Sequence, residues 1–339
     1  MAESRGAVTF YMESKMSFSR LGVIVFLGAL VAVSTGCEAY SRILTRKDVV
    51  DGSTAYKERK FAEAERLFRQ AAARDPEGKT EEGKIAQLFL ARTIHSMYIG
   101  NRQDKSLAEK AIEEYKKALA NNPNEQSAYK AVASLLDVPE RQDEWRAWVT
   151  ERANNEGLAP QNRAEAMSSL AARENTCANE ITDTEATKKP GKRDGQDVFV
   201  FVKPEKPEDL ERLKKCVADG MAHADKATAL EPADVEAVKN LDLTALSAAE
   251  LDAKHELVKV FESARSYKAA MLNQSARLAE MEGREEDAKR LRAETDAART
   301  RFNELSQLNK SIQTEKDRRT AAEREAENNN ANANANAGS

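Results

Sequence analysis

Few residues in this chain of 339 have the types and spacing that chemistry requires. Gly78-Lys-Thr-Glu-Glu-Gly83-Lys84-Ile85 carries the glycines and lysine of a phosphate-cradling loop. It lacks the closing Ser or Thr that would hold Mg²⁺, follows no strand, and puts Glu81 and Glu82 where backbone amides would meet phosphate. His255-Glu256-Leu-Val-Lys259 opens like a zinc-protease helix, but Lys259 stands where the second histidine belongs. His95 and His223 have no companion at ligand spacing, and no Ser/His/Asp or Cys/His set emerges. The reading is therefore of a chain that is not an enzyme and uses no cofactor and no metal. The reactive side chains left over are Cys37, Cys177 and Cys216, whose chemistry depends on compartment and on the elements that place them.

Those elements are helices. Charged residues make up 32% of the chain and the AVILMFWYC set 41%; aromatics are only 6%, with 14 Gly and 8 Pro. Long Ala/Glu/Lys/Arg/Leu-rich stretches of this kind exclude a sandwich, a barrel or a mostly parallel sheet. Basic and acidic residues nearly cancel, 53 against 57, so a nucleic-acid-binding surface is not expected.

One segment could meet a membrane. Leu21 to Val33 is an uncharged apolar run preceded by Lys15 and Arg20. It is shorter than the roughly 20 residues a spanning helix needs and within the length of a signal-peptide core. Ser34-Thr35-Gly36-Cys37 follows at once and resembles the small-residue box of a bacterial lipoprotein signal, although Ser34 stands where that signal usually has an aliphatic residue. The resemblance implies cleavage before Cys37, lipid attachment to it, and a periplasm-facing protein. Glu38, in place of the Asp of an inner-membrane retention signal, leans to the outer membrane. Secretion with a free Cys37 thiol and an uncleaved anchor are the alternatives.

A repeat is legible in the spacing. From Ala64, an aromatic follows four residues on (Phe68), a small residue three further (Ala71) and a proline five further (Pro76). Ala111, Tyr115, Ala118 and Pro123 fit the same ruler; Gly220, Ala224, Ala227 and Pro232 fit it loosely. Small residues at these spacings share one helix face and let a neighbouring helix come close, and the proline sits just past the helix end. Tyr129, Val132, Ala133 and Leu136 then give a large–large–small–large helix, and Leu272, Ala276, Ala279, Gly283 and Ala288 follow the same plan. The pattern is similar to the tetratricopeptide repeat, a helix–turn–helix unit of about 34 residues; a generic amphipathic bundle is the alternative. The resemblance implies an all-α, TPR-like helix–turn–helix solenoid, and a concave groove built by the first helices. In that register Tyr56, Lys57, Arg92, His95 and Lys130 are the groove candidates, a cation-rich set suited to an acidic segment or chain carboxylate. Trp145 and Trp148 fall where the second-helix pattern fails and are read as core filling.

The expected domains are a signal peptide over 1–36, a tether over 37–45, the solenoid over 46–283, a long helix over 284–318 and a disordered Ala/Asn-rich tail over 319–339. Residues 178–207 interrupt the solenoid. Asn162–Cys177 reads as a first helix and Glu208–Leu230 as its partner, and the β-type run Val198–Val202 between them is expected to pair with Glu180–Thr182. In the repeat register Cys177 and Cys216 face each other across the opened turn. A disulfide is expected there, two unrelated buried thiols being the alternative. The heptad Ala288, Leu291, Thr295, Ala298, Phe302, Leu305, Asn309 and Ile312 reads as a cap on the last repeat or as a coiled-coil seam for another chain.

The leading function is a membrane-anchored periplasmic scaffold that binds a protein or peptide in the groove, in cell-envelope assembly. An envelope enzyme or ligand-binding protein using 178–207, and a structural oligomer built through the C-terminal helix, are the alternatives.

Overall fold

The computed structural model describes residues 40–193 and 195–337. Two compact units divide at Leu135/Leu136, and each is built from helix pairs. The first contains α1 (40–57), α2 (Phe61–Arg74), α3 (Glu81–Gly100), α4 (Lys105–Asn121) and α5 (Gln126–Leu136), whose last residue crosses the division. The second contains α6 (Gln142–Asn154), α7 (Pro160–Thr182), β1 (Lys188–Arg193), β2 (Gln196–Phe201), α8 (Pro207–Ala229), the short α9 (Ala233–Ala237), α10 (Ala248–Met281) and α11 (Glu285–Ala337). The architecture is all-α, of helices joined by short turns, with one hairpin inserted between α7 and α8.

The spacing ruler selects the contacts. Ala64, Phe68, Ala71, Ala111, Ala224 and Ala227 are wholly buried, and Tyr115 and Ala118 nearly so. Phe68 shows what the small positions do. Gly52 on α1 lies against its ring so closely that a Cβ there would stand 3.0 Å from Cε1. Burying an aromatic of this size contributes about 1.5–3 kcal/mol, and the bare glycine is what lets the helices close around it. Tyr129, Val132 and Leu136 of α5 are likewise buried. A helix stands at 142–154 where the repeat pattern fails: Trp145, Val149 and Ala153, four apart, make its buried stripe. Arg173 stacks 4.3 Å over Trp145.

The loop that mimics a phosphate cradle is occupied by the chain itself. Lys79 N, Thr80 N and Thr80 Oγ1 donate to the Asp75 carboxylate at 2.9, 2.8 and 2.7 Å, while Thr80 caps α3 through Gly83 N. Burial opposes the charge on Asp75, but these bonds hold its pKa below the ordinary carboxylate value.

Four boundaries differ from expectation. Residues 40–45 of the expected tether are helical and continuous with α1, with Thr45 buried. α7 runs five residues past Cys177, because Ala178 and Ile181 belong to its buried face, so the insertion proper spans 183–206. Val198 and its neighbours do not pair with Glu180–Thr182, which form the last turn of α7. β2 pairs antiparallel with β1, from Lys188 opposite Phe201 to Arg193 opposite Gln196. Gly195, at φ +78°, supplies the left-handed turn residue that a two-residue hairpin requires, and that turn fixes the register. Finally, α11 continues through 319–337, where a disordered tail is expected. Residues 321–329 are all exposed: Ala, Glu and Arg sustain a helix by propensity without anything to bury. Arg319 anchors the start of that stretch, donating to the Leu246 and Leu243 carbonyls at 2.8 Å each.

The heptad stripe is spent within the chain. Ala288, Thr295, Leu305 and Ile312 are buried against α10, with Val238, Leu251 and Val258 around Ile312. The cap reading therefore describes this seam.

Cys177 and Cys216 are bonded, with Cα atoms 6.1 Å apart, in a core cluster that includes Ala178, Ile181, Leu213, Val217, Leu278 and Met281. The bridge closes a loop 39 residues long at the base of the insertion. Chain entropy values such a closure at up to about 4 kcal/mol. Replacing both cysteines with serine should lower the thermal midpoint, and a non-reducing peptide map of the wild type should show the two cysteine peptides joined. Alkylation of both as free thiols in the protein isolated without reductant would contradict the bridge.

Candidate protein-binding surface

The groove candidates of the first unit sit on three first helices, α1, α3 and α5. Tyr56, at the end of α1, is half-buried. Its hydroxyl lies 3.0 Å from Ser96 Oγ on α3, and its ring meets Phe61 and Phe89 edge-on at 5.6 and 6.0 Å. Arg92, one turn beyond Phe89, stacks its guanidinium 5.0 Å from that ring and donates from Nη2 to Ser127 Oγ on α5 at 2.8 Å. The face is thus stitched across all three helices by an aromatic, an arginine and two hydroxyls. Lys57 is exposed, one residue past Tyr56, and Lys130 is exposed on α5, three residues past Ser127.

The structure distinguishes the cations within this set. Arg92 has no carboxylate partner among the described residues, although it is half-buried and hydrogen-bonded. Most other half-buried arginines have one: Arg265 is paired with Glu231 at 2.7 Å, for example. Desolvating a guanidinium without a counter-ion is unfavourable, so a carboxylate arriving at Arg92 gains more than one arriving at a fully solvated lysine. His95 is not a cation here. It packs edge-on to Tyr115 with centroids 5.9 Å apart and Nδ1 at 3.3 Å from the hydroxyl, and burial lowers its pKa. Burial also raises the Tyr115 pKa, so both partners of this pair are neutral near pH 7.

The groove register names Tyr56, Lys57, Arg92, His95 and Lys130, and the structure links Tyr56 and Arg92 through Phe89. It assigns Tyr56 and His95 to packing. The register misses Phe89, Ser96 and Ser127. The i−3 and i+4 spacings from Arg92 are the signals that place Phe89 and Ser96 beside it on one helical face, whereas Ser127 is brought in only by the packing of α5. Cys37 lies outside the described residues. In the second unit, Glu174, Cys177 and Cys216 hold potential ligand atoms within 4.8 Å of one another. The disulfide consumes both thiolates, and the Glu174 carboxylate is taken by Arg146 at 2.7 Å. No described helix is long and apolar enough to cross a membrane.

The three histidines act together on stability. Burial lowers the pKa of His95, His223 and His255 from the ordinary 6.5. Below that value the unfolded chain takes up protons that the folded chain refuses. Their contribution is therefore full above pH 6.5 and falls as pH drops through the window down to the lowered folded values. The thermal midpoint should decline as pH is lowered from 7 to 5, before the carboxylates titrate. His95→Gln should flatten part of that decline; an unchanged slope in His95→Gln would show that His95 does not contribute to it.

No family model matches the sequence, and no curated protein matches it. Among solved structures, this chain is similar to one described as the functional characterization of Pseudomonas aeruginosa pilF. It is 15% identical, covers 81% of this chain and 99% of its own, and superposes with a TM-score of 0.29.

Proposed function

We propose that this protein is a non-enzymatic interaction scaffold whose first-helix face takes an acidic peptide or protein segment. The observation that supports it is Arg92: half-buried, oriented by Phe89 and Ser127, and without a carboxylate partner among the described residues. Lys57 and Lys130 widen the positive field, and the Phe89 ring offers an apolar floor beside the charge. A carboxylate that pairs bidentately with Arg92 gains geometric as well as electrostatic specificity, which lysine alone would not confer. Fluorescence anisotropy with a labelled Asp/Glu-rich peptide tests the reading. Lys57→Glu combined with Arg92→Glu should weaken binding at least tenfold and reverse its salt dependence, with the helical circular dichroism unchanged. Equal affinity in the double variant would remove the proposed groove polarity.

The scaffold is further proposed to be held at the periplasmic face of the outer membrane by lipid on Cys37, where it would serve envelope assembly. The support is the short apolar core followed by Ser34-Thr35-Gly36-Cys37. Two ester-linked chains with a third on the freed amine would anchor it stably, as one chain would not. Palmitate should label the wild type and fail to label Cys37→Ser; label retained in that variant would place the acylation elsewhere, and no label in the wild type would remove it.

A further inference from the structure

The second unit carries a cavity of about 230 Å³ where α10, α11 and the inserted hairpin meet. Four of its lining side chains are arginines: Arg193 from β1, Arg277 from α10, and Arg292 and Arg299 from α11. Its carboxylates are Glu280 and Asp296, so the wall carries a formal charge of +2.

These charges are unequally matched. Glu280 is the hub. Arg193 reaches both its oxygens at 2.9 Å, Arg292 reaches one at 2.5 Å, and Phe201 N donates to it at 3.3 Å. One carboxylate thus serves two guanidiniums and a backbone amide. Asp296 is committed to Arg299, its neighbour on the same helix, at 3.3 Å. Arg277 has no carboxylate within ion-pairing distance among the described residues. Its Nη1 donates to Thr182 Oγ1 at 3.1 Å and more distantly to Asn179 Oδ1, and its face lies 4.6 Å over the Phe201 ring. Nε and Nη2 find no protein acceptor among the described residues. Burial, and the Arg299 charge beyond it, oppose protonation of Arg277, with Asp183 acting the other way. A guanidinium held rigid by stacking, partly desolvated, beside a second cation and with donors to spare is arranged to receive oxygen atoms from outside.

We propose that this cavity binds a phosphoryl dianion, held by Arg277 and Arg299 and bordered by Arg193 and Arg292. Two negative charges balance the wall. A tetrahedral group with several oxygens can accept from two planar forks at once, which a halide cannot. The inserted hairpin gains a role by this: it supplies Arg193 and seats Arg277 on Phe201. The same dianion could arrive as free phosphate or as a phosphomonoester, and the charge and oxygen geometry are common to both.

Isothermal titration of the purified chain with inorganic phosphate, and separately with glycerol 3-phosphate, tests the site at fixed ionic strength. Saturable binding of at least one is expected, with sodium chloride at equal ionic strength giving none. Arg277→Gln should weaken it at least tenfold and Arg299→Gln at least fivefold, while Arg290→Gln, on the same helix outside the cavity, should leave it unchanged. Arg299 is largely exposed and, among the described residues, paired only with its helical neighbour, so its variant should remain folded and decides the matter even if Arg277→Gln does not fold. Binding of the ester alone would identify an ester ligand, and binding of both or of phosphate alone a free anion. No saturable heat from either probe, or equal affinity in the Arg299→Gln variant, would overturn the proposal.

Discussion

Close approach of helices through small side chains is the constraint on which the rest of this structure depends. A helix of mostly charged residues has one apolar stripe to bury, and that stripe stabilises the fold only if a neighbour comes near enough to exclude water from it. Gly52 against the Phe68 ring and Gly220 against Met271 show how little space is left. The same positions explain why so few aromatics suffice. Buried rings such as Phe68 and Tyr115 each meet one further ring, Phe89 at 5.5 Å and His95 at 5.9 Å, and small residues such as Gly52 let the helices close around them.

Spending the small face on neighbouring helices leaves the opposite face of each first helix to do something else. In the first unit that face is ordered rather than merely solvated, because Arg92 and Tyr56 are both locked by contacts that cross from helix to helix. The neutral His95–Tyr115 pair lies beneath it. An ordered cation loses less entropy on binding a partner than a free one, which favours the arginine over the more exposed lysines as the anchor of the proposed surface.

In the second unit, charge accounting performs the task that small residues perform elsewhere. The hairpin cannot enter the helical packing, so it is fastened by Arg193 to Glu280 and by the Phe201 ring under Arg277. Arg301 similarly gathers Glu231, Glu236 and Glu304, joining α11 to the turn after α8. Where carboxylates are fewer than guanidiniums, as around Glu280, the excess is a property of the assembled site and of no single element.

The sequence by itself determined whatever depends on local spacing. The Ala64–Phe68–Ala71 ruler located the helices and their buried faces, because side chains three and four apart share a helix face whatever surrounds them. The same register brought Cys177 opposite Cys216. Tertiary structure decided everything that needs a partner distant in the chain. The Val198 strand pairs with Lys188–Arg193 rather than with Glu180–Thr182, because α7 keeps its last turn to bury Ile181. His95 loses its charge to burial beside Tyr115, and Ser127 reaches Arg92 only because α5 packs there. Periodicity records which face a residue occupies. Which groups meet on that face, and whether a charge finds its counter-charge, is settled by the packing of segments that the sequence holds far apart.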